Sequence, residues 1–273
     1  MGKNLYIYQK KMPEIAEVML MADYINSKSN GVRYGSIEKS ESSKVEFENV
    51  YKSFIITKAS ARSKELMIEC LFDDGTIKKL FMSLGMSGNF STIDTGTWQK
   101  HCHLRFCGSK DGKSEILCFI DPRKFAKWNW RDDWSKTRGP DPISENEMFR
   151  SNFISRLSKS RSKLCEIMLD QKTCAGIGNY LRAEICYELN FDPFRPAKDL
   201  LKNPIELEKF FSSVNIICNR AYKMGGAELM TYKNPNNDGD MNKGNWMKCY
   251  ANKNMLNKRD NTGRTFWFDP KWK

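Results

Sequence analysis

Residues Leu169 to Glu184 read LDQKTCAGIGNYLRAE, and the helical pattern of this stretch stops at Gly176 and Gly178 before resuming at once. The segment is a helix, a two-glycine turn and a second helix. Glycine reaches the left-handed backbone that such a turn uses, and it lets another part of the chain come close. The first amides of the second helix have no partner inside the helix, so they and the Asn179 side chain are expected to receive a phosphate. The chain carries 45 Lys and Arg against 33 Asp and Glu, a net charge of +12. That balance makes nucleic acid the expected source of the phosphate. The alternative for this segment is an ordinary helical corner with a glycine cap.

The chain has 273 residues, 40% hydrophobic and 12% aromatic, enough for two modest domains, each with a core. It contains no run of apolar residues long enough to span a membrane, and MGKNLYIYQKKM at the start has no apolar region of signal-peptide length. Neither secretion nor membrane insertion is expected. Met1-Gly2 opens like a myristoylation signal, but Tyr6 stands where that signal needs Ser or Thr. The nine cysteines include no C-x-x-C pair and read as reduced core thiols. His101, Cys102, His103 and Cys107 cluster, yet HLRFC alternates like a strand with His103, Arg105 and Cys107 on one face, so no metal site is expected.

From Val45 to about Trp130, short segments such as SFIITKA, ELMIECLF, KKLFMSL and EILCFID are separated by Asp-Gly turns, the pattern of an antiparallel β-domain. Before it, EIAEVMLMADYINS (Glu14 to Ser27) has apolar residues at helical spacing and predicts a helix packed on that sheet. The cluster Arg138-Gly139-Pro140-Asp141-Pro142 marks a change of pattern, and helices follow from Glu145 to Met224. Gly225-Gly226 opens a polar stretch that reads as a mobile loop. The last part, from WMKCY to RDNTGRTFWF, predicts two short strands around Asn261-Thr262-Gly263, with Arg264 near the hairpin tip. The expected division is an extension over 1–11, a β-sandwich domain over 12–137, a linker over 138–144, a helical domain over 145–240 and a terminal hairpin over 241–273.

Six motifs now fall in series: Met12-Pro13-Glu14-Ile15-Ala16-Glu17-Val18, Arg62-Ser63-Lys64, Leu84-Gly85-Met86-Ser87-Gly88, Asp121-Pro122-Arg123-Lys124-Phe125, the two-glycine turn and Gly263-Arg264-Thr265. In order and approximate spacing the chain resembles the formamidopyrimidine-DNA glycosylase and endonuclease VIII family of base-excision repair enzymes, from Met12 to about Pro270. ASARSKEL, HLRF, GIGNYLRAE, WMKCY and GRTFW resemble its animal Nei-like branch most. Fpg-type members end in a four-cysteine zinc finger, whereas only Cys249 lies beyond Cys218 here. The terminal hairpin therefore looks like a zincless finger. The fold implied is α+β: an N-terminal helix and antiparallel β-sandwich, then a helical domain with a helix-two-turns-helix motif and the finger hairpin. The implied activity is removal of oxidised bases, with a Nei-like preference for pyrimidines, followed by strand scission at the abasic site. No cofactor is implied, the partner is damaged DNA, duplex or single-stranded, a monomer is the family's default, and the location is inside the cell, at DNA.

The roles have their own physical sense. A proline at a free N-terminus is a secondary amine of modest basicity, partly neutral and nucleophilic near neutral pH. The resemblance makes Pro13 the nucleophile at C1′, with Glu14 moving protons to the sugar and from C2′. Glu17, one helical turn on, would fix or charge-balance the amine. The alternative for the two glutamates is a solvated acidic pair that stabilises a helix N-terminus. Lys64 matches the family's catalytic lysine; read alone it is a surface lysine. Met86, Arg123 and Phe125 match the trio that fills the space of an extruded nucleotide, although Met86 and Phe125 could be ordinary core. Lys124, Asn179 and Arg264 are then the expected phosphate contacts. Three departures stand out: Ala16 for a second proline, Ser63 for the usual glycine before the lysine, and Ser83 for a frequent histidine. Residues 1–11 matter more, because with Met12 attached Pro13 is a tertiary amide and cannot form a Schiff base. A start at Met12, or removal of the extension, is expected. The class outside this reading is a nucleic-acid-binding protein without catalysis, or a decayed glycosylase with Pro13 blocked.

Overall fold

The structure, a computed structural model, describes residues 13–93, 96–227 and 246–273. The Met12 junction, the extension before it and most of the polar stretch after Gly226 lie outside the described residues. The first element is helix α1 (Ile15–Ser29), opened by a capping box in which the Glu14 amide donates to the Glu17 carboxylate at 2.8 Å. This helix is buried on nearly every side because it separates two cores. Ile15 and Ala16 belong to the helical core, while Val18, Met21, Ala22 and Ile25 belong to the core of the sheet.

Eight antiparallel strands follow: β1 (Arg33–Lys39), β2 (Phe54–Arg62), β3 (Glu65–Phe72), β4 (Ile77–Ser83), β5 (Asn89–Ile93), β6 (Cys102–Lys110), β7 (Lys113–Ile120) and β8 (Lys127–Trp130). They form one sheet in the order β5-β7-β6-β1-β2-β3-β4-β8. Phe119 lies next to one edge of this sheet and Trp128 on the opposite edge, yet their rings meet edge to face at 5.7 Å. The sheet therefore curls over its own core, so the expected sandwich is built from one continuous ladder. Strand β1 precedes Val45, where the sheet was expected to begin; RYGSIEK has too little alternation to declare itself, and its strand state comes from pairing with β6.

The second half holds α2 (Asn146–Leu157), the single turn α3 (Leu164–Ile167), α4 (Asn179–Leu189) and α5 (Pro204–Lys223), then the hairpin β9 (Leu256–Arg259) and β10 (Thr265–Phe268). The helix before the two glycines is shorter than its periodicity implied: it ends at Ile167, and residues 168–178 are successive turns, with Thr173 and Cys174 amides both bonded to the Asp170 carbonyl. WMKCY is not a strand. Its Lys248, Cys249 and Tyr250 amides converge on the Glu184 carboxylate at 2.7–2.9 Å, which holds the segment as a turn. Eight cysteines are buried and Cys107 is half-buried, all as free thiols. His103 turns its Nε2 to the Asp121 carbonyl at 3.0 Å. Among the described residues no three His, Cys, Asp or Glu side chains are gathered as a metal site, and no helix is long and apolar enough to cross a membrane.

Candidate active site

The two-glycine turn is where the halves of the molecule meet. The Ile15 amide donates to the Gly176 carbonyl at 3.0 Å, which places Glu14 against the start of α4. Its carboxylate accepts the amides of Gly178 at 2.7 Å, Tyr180 at 3.0 Å and Leu181 at 3.2 Å. These are the amides expected to receive a phosphate, so that expectation is corrected: the Glu14 carboxyl group already occupies the helix N-terminus. A side chain on Gly178 would collide with the Glu14 carboxyl carbon, and one on Gly176, at φ +88, would sit 2.9 Å from Ile15 Cβ. Space at the first and conformation at the second both demand glycine.

Glu14 and Glu17 are each only 2% exposed, so they are not a solvated acidic pair. Glu17 accepts the Tyr180 hydroxyl at 2.9 Å and the Ala227 amide at 2.8 Å besides the Glu14 amide. Burial pushes the Glu17 carboxyl up, against the pull of those amides. Burial also lifts Glu14 from an ordinary 4.5 to about 7, with the charge of Lys64 working against the rise. Lys64 in turn is brought down from 10.5 to about 8 by burial, with Glu14 opposing. Two groups of opposite kind thus titrate within reach of neutral pH beside Pro13.

Lys64 stands in the β2–β3 turn, and its Nζ donates to the Ile177 carbonyl at 2.9 Å. It is not a free surface lysine. Ser63, in the place of a glycine, holds φ +57 and is fully buried. Both its amide, at 2.5 Å, and its hydroxyl, at 3.3 Å, donate to Asp141 Oδ2. Beside it Arg62 pairs with Glu145 at 2.9 Å. These bonds pin the lysine turn to the segment leading into α2.

A cleft of about 260 Å³ opens at this junction and is lined by Pro13, Lys64, Met86, Arg138, Gln171 and Arg264, among others. Pro13, Lys64, Met86 and Arg264 were singled out from sequence; Arg138 and Gln171 were not. Gln171 donates to Ile177 O at 2.8 Å and accepts the Gly176 amide at 3.2 Å, so it braces the glycine turn. Its signal was present, a long amide side chain in the run before the glycines, but that residue type has too many uses to stand out.

Met86 and Arg123-Lys124-Phe125 occupy two loops packed back to back: a Cβ on Gly85 would lie 2.8 Å from the backbone of Phe125 and Ala126. Asp121 holds the second loop, accepting the amides of Phe125 and Ala126 at 2.8 Å, the amide of Arg123 at 3.2 Å and the Ser87 hydroxyl of the first loop. Phe125 is 52% exposed, with the Arg123 guanidinium over its ring at 4.7 Å. Met86 is half-buried at the cleft. Neither is ordinary core. Lys124, at φ +57, reaches the Ser42 carbonyl at 3.0 Å and stays exposed. Asn179 donates to the Thr265 carbonyl at 2.9 Å, which sets it beside the hairpin that carries Arg264.

The family model described as the formamidopyrimidine-DNA glycosylase N-terminal domain matches residues 12–128, that of its H2TH domain residues 138–233, and that of the endonuclease VIII-like 1 DNA-binding segment residues 244–271. Endonuclease 8-like 1 of Homo sapiens is 32% identical over 94% of this chain and 72% of its own length. The chain belongs to the formamidopyrimidine-DNA glycosylase and endonuclease VIII family, in its Nei-like branch. Endonuclease 8-like 1 of Mus musculus is 30% identical with the same coverage, and a formamidopyrimidine-DNA glycosylase of Zymomonas mobilis is 31% identical over 82% of this chain and 80% of its own. The wild-type Lactococcus lactis Fpg in complex with DNA containing an oxidised pyrimidine superposes with a TM-score of 0.77 at 22% identity, over 96% of this chain and 99% of that one. Thermus thermophilus Fpg gives 0.74 at 23%, over 96% and 98%. At such identity these two speak for the fold. As a member of this Fpg/Nei family the chain is a base-excision repair enzyme for oxidised bases, a DNA glycosylase with abasic-site lyase activity whose partner is DNA, and it works inside the cell, where DNA is.

Proposed function

We propose that the chain excises oxidised bases, pyrimidine lesions above all, through the nitrogen of Pro13 once the residues before it are gone, and then cuts the strand by β- and δ-elimination. The observation that supports this reading most is the cleft that joins Pro13 to Lys64, Met86 and Arg264 over a buried Glu14. The neutral proline nitrogen attacks C1′ and the bond from C1′ to the base breaks, the base leaving with a proton; the nitrogen then gives up its own proton, O4′ takes one, and the C1′–O4′ bond opens to leave an iminium. The iminium withdraws electrons from C2′, so the C2′ proton passes to a base and the C3′–O bond breaks, releasing the downstream 5′-phosphate end; loss of a C4′ proton through the conjugated system then breaks the C5′–O bond and releases the upstream 3′-phosphate end. Glu14, lifted to about 7, is suited to accept and return such a proton. Lys64, Arg138 and Arg264 give the cleft the positive charge that an anionic backbone requires. Met86, Arg123 and Phe125 fill the space of the extruded nucleotide, and Lys124, Asn179 and Arg264 hold phosphates. Glu17 keeps the Pro13-Glu14 backbone in place through the Glu14 amide.

The test is borohydride trapping on an abasic-site oligonucleotide, with each protein's N-terminus verified by mass spectrometry. Protein beginning at Pro13 is expected to form the covalent adduct, and protein beginning at Met1 to bind DNA without it. Equal trapping by both would remove Pro13 from the role. No trapping by either, with DNA binding intact, would leave a nucleic-acid-binding protein without catalysis.

A further inference from the structure

The glycine turn and the hairpin tip come from distant parts of the chain, and one buried side chain ties them. Arg182, on α4, is fully buried. Its Nε and Nη2 donate to Asn179 Oδ1 at 3.1 and 2.7 Å. Its Nη1 donates to Asp260 Oδ2 at 2.5 Å, 78 residues along the chain, and to the Cys165 carbonyl at 3.0 Å. The guanidinium lies 4.9 Å from the Phe266 ring centre on β10. Asp260 spends its other oxygen on the hairpin tip itself, accepting the Thr262 amide at 2.9 Å and the Arg264 amide at 3.1 Å. One carboxylate therefore folds the tip and delivers it to Arg182, and Arg182 delivers it to Asn179.

We infer that Arg182 is a positioning residue that locks the hairpin tip to the glycine turn, so that Asn179 and Arg264 meet the DNA backbone as one preformed phosphate-binding unit. This rests on the reading of those two residues as DNA contacts. A charge pair taken out of water gains little by itself, and replacing it with neutral groups is often harmless to folding. What a neutral replacement cannot reproduce is the planar fork that reaches Asn179, Asp260 and Cys165 together, which a lysine cannot do either. The device sets the position of the Arg264 backbone, leaving its side chain free for a ligand.

The experiment measures binding to a duplex with a non-cleavable tetrahydrofuran abasic site as a function of salt. Removing Arg182 alone would strand the Asp260 charge, so the main variant is the paired Arg182→Met with Asp260→Asn, whose asparagine oxygen still accepts the tip amides. Each phosphate contact contributes about 0.9 to the slope of log Kobs against log salt. The paired variant is expected to lose about as much slope as Arg264→Ala, and Arg264→Ala added to it is expected to lose nothing more. Arg182→Lys keeps a charge against Asp260 and is expected to show the same loss if the paired variant does not fold. A folded paired variant or Arg182→Lys with the full slope, while Arg264→Ala loses it, would overturn the inference. An unchanged slope in Arg264→Ala would instead overturn the phosphate reading of Arg264, and the inference with it.

Discussion

Ser63 holds a left-handed backbone that costs a side-chain-bearing residue about 1–2 kcal/mol, and its two bonds to Asp141 offset that cost. Asp141 also accepts the Ile143 and Ser144 amides through its other oxygen, so the carboxylate and not the serine organises the lysine turn. Ser63→Gly is expected to change stability by less than about 1 kcal/mol, because relief of strain and loss of the hydroxyl bond oppose each other. Asp141→Ala is expected to cost about 2–4 kcal/mol in urea denaturation. The sequence showed the serine as a departure from the family, but its remedy lies 78 residues away and was not legible. Glu14 gives a second expectation. Its folded pKa is raised, so the protonated carboxyl favours the fold: its contribution is complete below 4.5 and is lost as the pH rises through about 7. Across that interval the stability of the wild type should fall relative to Glu14→Gln, by an amount on the order of 3 kcal/mol. Parallel denaturation curves at each pH would contradict it.

At the scale of elements, the loops over 84–88 and 121–126 show why a motif can be legible when its scaffold is not. The glycines and the Arg-Lys pair marked both loops as tips. That they pack on one another follows from Gly85 lying against Phe125 and from Asp121 gripping both, a contact between separate parts of the sheet that no local pattern records. The same limit hid β1, whose strand state depends on β6, and shortened α3, whose periodicity continues into turns. Because Phe125 is exposed, with Arg123 over its ring, Phe125→Ala is expected to leave stability within about 0.5 kcal/mol of the wild type. Its effect should fall on extrusion, so excision from duplex DNA is expected to drop at least tenfold under single-turnover conditions. The same lesion in a single strand, already unstacked, should be cut at nearly the wild-type rate. Equal losses on both substrates would place Phe125 outside that step.

Over the whole molecule the decisive element is α1, whose first turn belongs to one core and whose body belongs to the other. The spacing of EIAEVMLMADYINS made the helix legible and assigned it to the sheet, which accounts for Val18, Met21 and Ile25. Ile15 and Ala16 in the helical core were not legible, because periodicity tells which face is apolar and not how many partners surround it. The consequence is mechanical. The same turn presents Pro13 to the cleft, bonds Ile15 to Gly176 and seats Glu14 on α4, so the site exists only while both cores are docked. Damage to that turn should therefore spread to both cores instead of loosening one. Ile15 is fully buried, and Ile15→Ala is expected to cost about 2–5 kcal/mol. Calorimetry of the wild type should show a single transition, and the variant should lower that transition as a unit. If the variant instead split into two transitions with the sheet's own melting unchanged, the cores would be independent. The junction around Pro13 would then be a loose contact between domains and not part of the cooperative fold.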